Sequence, residues 1–201
     1  MFAAIILAAG ASERMGYPKA LLTYRGEPFL AGILHACYAA GIERRVVVVG
    51  YYADKILREM DLSDVTVAEN TQLDAGPIGS VRAGLRALEG QPVDAALVWP
   101  VDRPHVAVAT LAALLDGFRA SHRPIVVPVH AGHRGHPVLF GRTVFEELLD
   151  APDEQGARAV VRHDPSRVHA VPVDDPAVLE DFNTPEDYKK LLRREDSVGG
   201  D

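Results

Sequence analysis

The sequence predicts an α/β fold, a three-layer αβα arrangement doubly wound about a mostly parallel sheet. Three observations point to it. Short apolar runs rich in β-branched residues recur along the chain, as strands covered on both faces require. Amphipathic stretches with apolar residues at helical spacing alternate with these runs almost to the end, the pattern of successive βαβ units. The 201 residues suffice for one sizeable core, and no fixed-period repeat or low-complexity linker divides them.

The elements follow in chain order. AAIIL (3–7) reads as the first strand and leads into the small-residue loop LAAGASERMGYPKALL (7–22). A helix near 28–40 places Phe29, Leu30, Ile33, Leu34 and Cys37 on one face. RVVVV (45–49) is a strand, a helix is expected near 52–60, and VTVA (65–68) is the next strand. Ile78, Val81, Leu85 and Leu88 mark a helix over 78–88, followed by the strand AALVW (95–99). Leu111, Leu114, Leu115 and Phe118 mark another helix over 106–120 before the strand PIVVP (124–128). The His- and Gly-rich segment VHAGHRGHPVLF (129–140) interrupts the alternation, as a site or an extra hairpin does. HPVLF (136–140) and RVHAVPV (167–173) read as strands, with helices near 141–150, 156–163 and 185–194. The expectation is one domain over 1–192 and a frayed polar tail, RREDSVGGD, over 193–201.

Composition excludes several classes of function. A formal charge of −7 does not suit a protein that coats itself in nucleic acid or anionic membrane, so any basic site is local. No stretch approaches the roughly 20 apolar residues of a membrane span, and no cationic segment precedes the apolar start as in a signal peptide. The single cysteine, Cys37, forms no intrachain disulfide and reads as a buried thiol. The reading is a cytoplasmic protein without nucleic-acid or membrane partners.

In open parallel sheets ligands sit beyond the carboxyl ends of the strands, where the loop after 3–7 lies. It is not a dinucleotide fingerprint, because Ser12 and Met15 stand where glycines are needed after Gly10. It is not a P-loop, because Tyr17 and Pro18 separate Gly16 from Lys19 and Ala20 follows. Its small residues, Ala8, Ala9, Gly10, Ala11 and Ser12, let backbone N–H groups approach an anion or a base. Pro18 biases Tyr17 towards extended backbone and presents Lys19 on a stiff segment. Arg14 as a fork and Lys19 as a point charge suit a triphosphate. Spacing alone leaves a surface loop with solvated cations equally open.

Other residues carry chemistry or structure. Asp102 stands at the carboxyl end of the 95–99 strand, as a metal ligand or as a cap ahead of Pro104. In EDFNTPEDY (180–188), Thr184, Pro185 and Asp187 explain themselves as a helix start, which leaves Asp181 and Asn183 without a structural task. In ENTQLDAGPIGSVRAGL (69–85), Asn70 follows a strand while Gly76, Gly79 and Ser80 precede a helix, which reads either as a turn and cap or as an anion-facing terminus. His130, His133 and His136 recur every third residue, but the intervening glycines break any helix that would align them and zinc spacing is not met.

The string LAAG-x-S-x-R-M-G-x-P-K-x-L-L resembles the signature of the MobA-like NTP transferase family, and GHRGHPVLF (132–140) is similar to its molybdenum cofactor cytidylyltransferase branch. Family-like motifs span residues 3 to 188. The resemblance implies a nucleotide-diphospho-sugar transferase-like, Rossmann-like fold. It implies a Mg²⁺-dependent transfer of CMP from CTP to the phosphate of a molybdopterin-type acceptor, with release of pyrophosphate; a molybdoenzyme client is a further partner to be expected. LAAG favours CTP, since GTP-using relatives commonly carry LAGG. By the same resemblance Leu7, Ala8 and Gly10, with Ser12, line the nucleotide site. Arg14 contacts the β- and γ-phosphates, Lys19 sits near the α-phosphate, and Asn70 and Ser80 contact the nucleotide. Asp102 is the metal ligand of a D-x-P motif, with Asn183 the second ligand and Asp181 in reserve. Arg134 and His136 face the acceptor, and Arg158 holds its phosphate. Arg103 departs from the family, which carries a small or apolar residue there, and its charge is expected to reach phosphate or substrate. The alternatives are a GTP-using or sugar-phosphate nucleotidyltransferase and a molybdenum cofactor carrier.

Overall fold

A computed structural model describes residues 1–198, with side chains through 193. The chain opens with β1 (Phe2–Leu7), a single 3-10 turn at Lys19–Leu21 and a hairpin of two-residue strands, β2 (Thr23–Tyr24) and β3 (Glu27–Pro28). Next come α1 (Phe29–Ala39), β4 (Arg44–Val49), α2 (Ala53–Glu59), β5 (Thr66–Glu69), α3 (Pro77–Arg86) and β6 (Ala95–Pro100). They are followed by α4 (Val108–Ser121), β7 (Ile125–His130), β8 (His133–Arg134), β9 (Val138–Gly141) and α5 (Phe145–Leu149). The chain then forms α6 (Ala157–His163), β10 (Val168–Pro172) and α7 (Pro185–Val198). The expected tail thus overlaps α7 over 193–198, and 199–201 lie outside the described residues.

The sheet order is β10-β7-β9-β6-β1-β4-β5, with β8 paired to β7. β1 pairs in parallel with both β4 and β6, so the winding reverses on either side of it. β9 runs antiparallel between β6 and β7, with Leu139 opposite both Leu97 and Val126. The predicted fold class holds, with β9 and the short β8 as the reversed strands of the sheet.

Period-two alternation divides the core in two. Ala4, Ile6, Val47, Val49, Leu97 and Trp99 pack on one face against α1 and α4, while Ala3, Ile5, Val46, Val48, Ala96 and Val98 pack on the other against α3 and α5. α1 buries Phe29, Leu30, Ile33, Leu34 and Cys37, the face its spacing predicts. It ends where Gly41 takes a left-handed φ of 76°, and the Gly41 and Ile42 N–H groups close back on the Tyr38 and Cys37 carbonyls. Burial pushes the Cys37 thiol up to about 12, which leaves it an inert core group. Among the described residues no helix is long and apolar enough to cross a membrane.

Candidate active site

Leu7 pairs with Val48 and Pro100, so the loop after β1 leaves the sheet between the carboxyl ends of β4 and β6. Ala8 donates to the Val48 carbonyl at 2.9 Å, which fixes the loop's first step. A cleft of about 690 Å³ opens there, lined by Leu7, Ala8, Gly10, Ser12, Lys19, Asn70, Ser80, Asp102, His136 and Arg158. A larger basin of about 1220 Å³ lies at the amino ends of the strands, walled by Arg44, Arg45 and Arg142, and holds none of these residues. The rule that ligands sit beyond strand carboxyl ends selects the smaller cleft.

At its floor three distant segments meet. Lys19 Nζ donates to Asp102 Oδ2 at 3.2 Å and to Asn183 Oδ1 at 2.6 Å. Lys19 opens a 3-10 turn, where a stiff segment outside any helix was expected, and its N–H reaches Ser12 Oγ at 3.4 Å. Both partners in the ion pair are largely shielded from water, with side chains 13% and 21% exposed, which strengthens the contact relative to a surface pair. Phe182 N–H donates to the Asp102 carbonyl at 3.1 Å and pins the 178–183 strap against the end of β6.

These contacts also test the fit of a divalent metal. Two hard oxygen donors already share one cation, the Lys19 ammonium. No cluster of three or more His, Cys, Asp or Glu among the described residues forms a cage. That donor set fits a small divalent ion whose remaining positions phosphates and water fill. Asp102 does not cap α4, whose backbone cap is Ala107, held by the Asp175 carboxylate at 2.9 Å.

Asn70 and Ser80 are buried together in the cleft wall. Asn70 Oδ1 accepts from the Gln72 N–H at 2.8 Å, which turns its amide nitrogen towards Ser80 Oγ at 3.1 Å. Gly79 is required beside them, since a Cβ there would lie 2.5 Å from the Gln72 carbonyl oxygen. His136 has a buried Nδ1 without a hydrogen bond. Burial, with the Arg103 and Arg158 charges assisting and Asp181 opposing, pushes its imidazole down to about 4. His136 is therefore neutral at physiological pH.

Three predicted residues fall outside the cleft lining: Asn183, which meets it through its hydrogen bond with Lys19, and Arg14 and Arg134. Arg14 is exposed on the bordering loop, and Arg134 is exposed in β8, where it pairs with Val129. Arg134 is exposed, while His136, past the end of β8, lines the cleft. Arg103 also lines the cleft, but its guanidinium N–H groups are engaged within the protein. Its Nη1 donates to the Val178 and Glu180 carbonyls at 3.0 and 2.9 Å, and its Nη2 to Asp181 at 3.3 Å. The expectation missed Tyr51, a 55% exposed aromatic on the cleft rim directly after Gly50 at the end of β4. Its position at a strand's carboxyl end was the available signal.

A small-residue loop at the point where the winding reverses, with a lysine shared by two oxygen donors, suits the phosphates of a nucleotide. The class is that of the nucleotidyltransferases. The chain belongs to the MobA-like NTP transferase domain family, whose model matches residues 4–170. It is 29% identical over 199 residues to nicotine blue oxidoreductase of Paenarthrobacter nicotinovorans, covering 94% of this chain and 95% of that one. The bifunctional protein GlmU of Sphingopyxis alaskensis is 31% identical over 80% of this chain, which spans only 36% of GlmU. Rv0371c from Mycobacterium tuberculosis is 31% identical, with a TM-score of 0.79 over 96% of this chain and 97% of that one. Its complex with manganese has a TM-score of 0.73 over 96% of this chain and 98% of that one.

Proposed function

We propose that this chain transfers CMP from CTP to the terminal phosphate of a molybdopterin-type acceptor, in the cytoplasm and with Mg²⁺, releasing pyrophosphate for each nucleotide transferred. The observation that supports the proposal is the meeting of Asp102 and Asn183 on Lys19, a lysine that lines the cleft. An acceptor phosphate oxygen forms a bond to the α-phosphorus as the bond to the β-phosphate bridging oxygen breaks. The acceptor is already ionised, so the step requires no general base. Asp102 and Asn183 would hold the metal, which supplies charge neutralisation on the triphosphate when bound.

Lys19 sits near the α-phosphate, and the loop from Leu7 to Ser12 supplies backbone N–H groups along the nucleotide. Asn70 and Ser80 orient base or ribose. Arg14 reaches the β- and γ-phosphates from the loop border. His136 and Arg158 face the acceptor across the cleft, and Arg134, outside it, is given no contact. Alignment and charge neutralisation supply the rate. CTP is preferred on the resemblance of Leu7–Gly10 and 135–140 to the cytidylyltransferase branch.

A panel of α-labelled CTP, GTP and ATP with the acceptor and Mg²⁺ tests this reading. Selective CMP incorporation with equimolar pyrophosphate is expected. Selective GMP incorporation overturns the nucleotide assignment, and incorporation only into a sugar phosphate overturns the acceptor. Pyrophosphate absent with every nucleotide and a functional acceptor favours a cofactor carrier. The name of the Paenarthrobacter relative denotes a redox reaction, and hydride consumption without pyrophosphate would place this chain with it.

A further inference from the structure

Arg103 and Asp181 form a connected polar chain that ends on the Asn183 amide. Arg103, its side chain 13% exposed, grips the 178–183 strap through the Val178 and Glu180 carbonyls. Its second nitrogen holds Asp181 Oδ2 at 3.3 Å, and Asp181 Oδ1 accepts from Asn183 Nδ2 at 2.7 Å. A primary amide has two nearly isosteric ends, of which only the oxygen can bind a cation. Asp181 accepts hydrogen bonds only, so it claims the nitrogen end, and the oxygen end is left facing Lys19 Nζ at 2.6 Å.

We infer that Asp181 and Arg103 are positioning residues, which fix the Asn183 amide so that its oxygen, and not its NH₂ group, faces the cation position beside Asp102. The inference rests on the metal assignment proposed above. It gives Asp181 a task other than that of reserve ligand. It also explains why a charged residue is useful between Asp102 and Pro104: one guanidinium satisfies two carbonyls and a carboxylate at once, which an ammonium does not do in that fixed geometry. An aspartate at 183 would need no such orientation, because its two oxygens are equivalent.

Mn²⁺ titration by electron paramagnetic resonance, with CTP present and acceptor omitted, reads the effect without turnover. Asp181→Ala is expected to weaken Mn²⁺ binding about tenfold or more, the usual range for outer partners of a metal ligand. Asp181→Asn, which keeps an acceptor oxygen, restores part of the loss. In the Asn183→Asp background, Asp181→Ala is expected to cost nothing. An equal loss in both backgrounds would make Asp181 a ligand and overturn the inference. Unchanged Mn²⁺ affinity with a lowered melting temperature would make the chain a purely structural clamp and overturn it too. Failure of the underlying metal assignment looks different, since Asp102→Asn and Asn183→Ala would then leave Mn²⁺ binding intact.

Discussion

Lys19 occupies the place where Asp102 and Asn183 would share a divalent ion, so an ammonium and a metal compete for the same oxygens. Two opposite effects of one substitution follow. In Lys19→Met, Mn²⁺ binding measured without nucleotide is expected to tighten, because the competing cation is gone. Turnover under saturating metal is expected to fall by roughly 10²–10³, the usual loss when one positioned donor to a developing charge is removed. Weaker Mn²⁺ binding in this variant would show that the lysine supports the metal position and does not compete for it. His136 makes a second prediction at this scale. Its folded-state value of about 4 lies below its ordinary 6.5, so the unfolded chain binds more protons between them. Stability therefore rises with pH across that window, by at most ~1.4 kcal/mol per unit from this group, and is lost as pH falls. Urea unfolding at pH 4.5, 5.5 and 6.5 should show a shallower slope in His136→Gln than in the native sequence. Equal slopes would mean that the imidazole protonates freely in the folded protein.

Among the elements, α3 carries the tightest approach to the sheet. Gly84 faces Ile5 at the centre of β1, and a Cβ there would overlap that side chain. Gly84→Ala gains helix propensity yet forces the core apart, so a net loss of about 1–3 kcal/mol is expected in equilibrium unfolding. An unchanged midpoint would show that β1 yields without strain. The helices were legible from their apolar spacing, and the strands from their valine and isoleucine runs, because both periods are local. Strand direction was not. Val138–Gly141 reads as a buried strand in either sense, and only its pairing with β6 and β7 shows it antiparallel. The β2–β3 hairpin was missed because two-residue strands hold no period at all.

Across the whole molecule, Lys19, Asp102 and Asn183 were singled out as chemistry-bearing residues, and the fold joins them by hydrogen bonds at Lys19. Their meeting was legible only through the family signature, since no local pattern links positions 83 and 164 apart. Arg103 shows the converse. A lone arginine after an acid reads as an available charge, but its acceptors are carbonyls 75 and 77 residues away. Arg14 and Arg134 were chosen by sequence position near the site, yet both side chains are exposed and neither lines the cleft. The strap that brings Asn183 home has a temporal consequence. During synthesis β1, β4, β5 and β6, four of the eight strands of the sheet, emerge well before it. The oxygen pair around Lys19 is still half missing at that stage. A chain cut short before residue 183 would therefore keep both Lys19 and Asp102 in its sequence and yet lack the second oxygen that the folded protein sets against that ammonium.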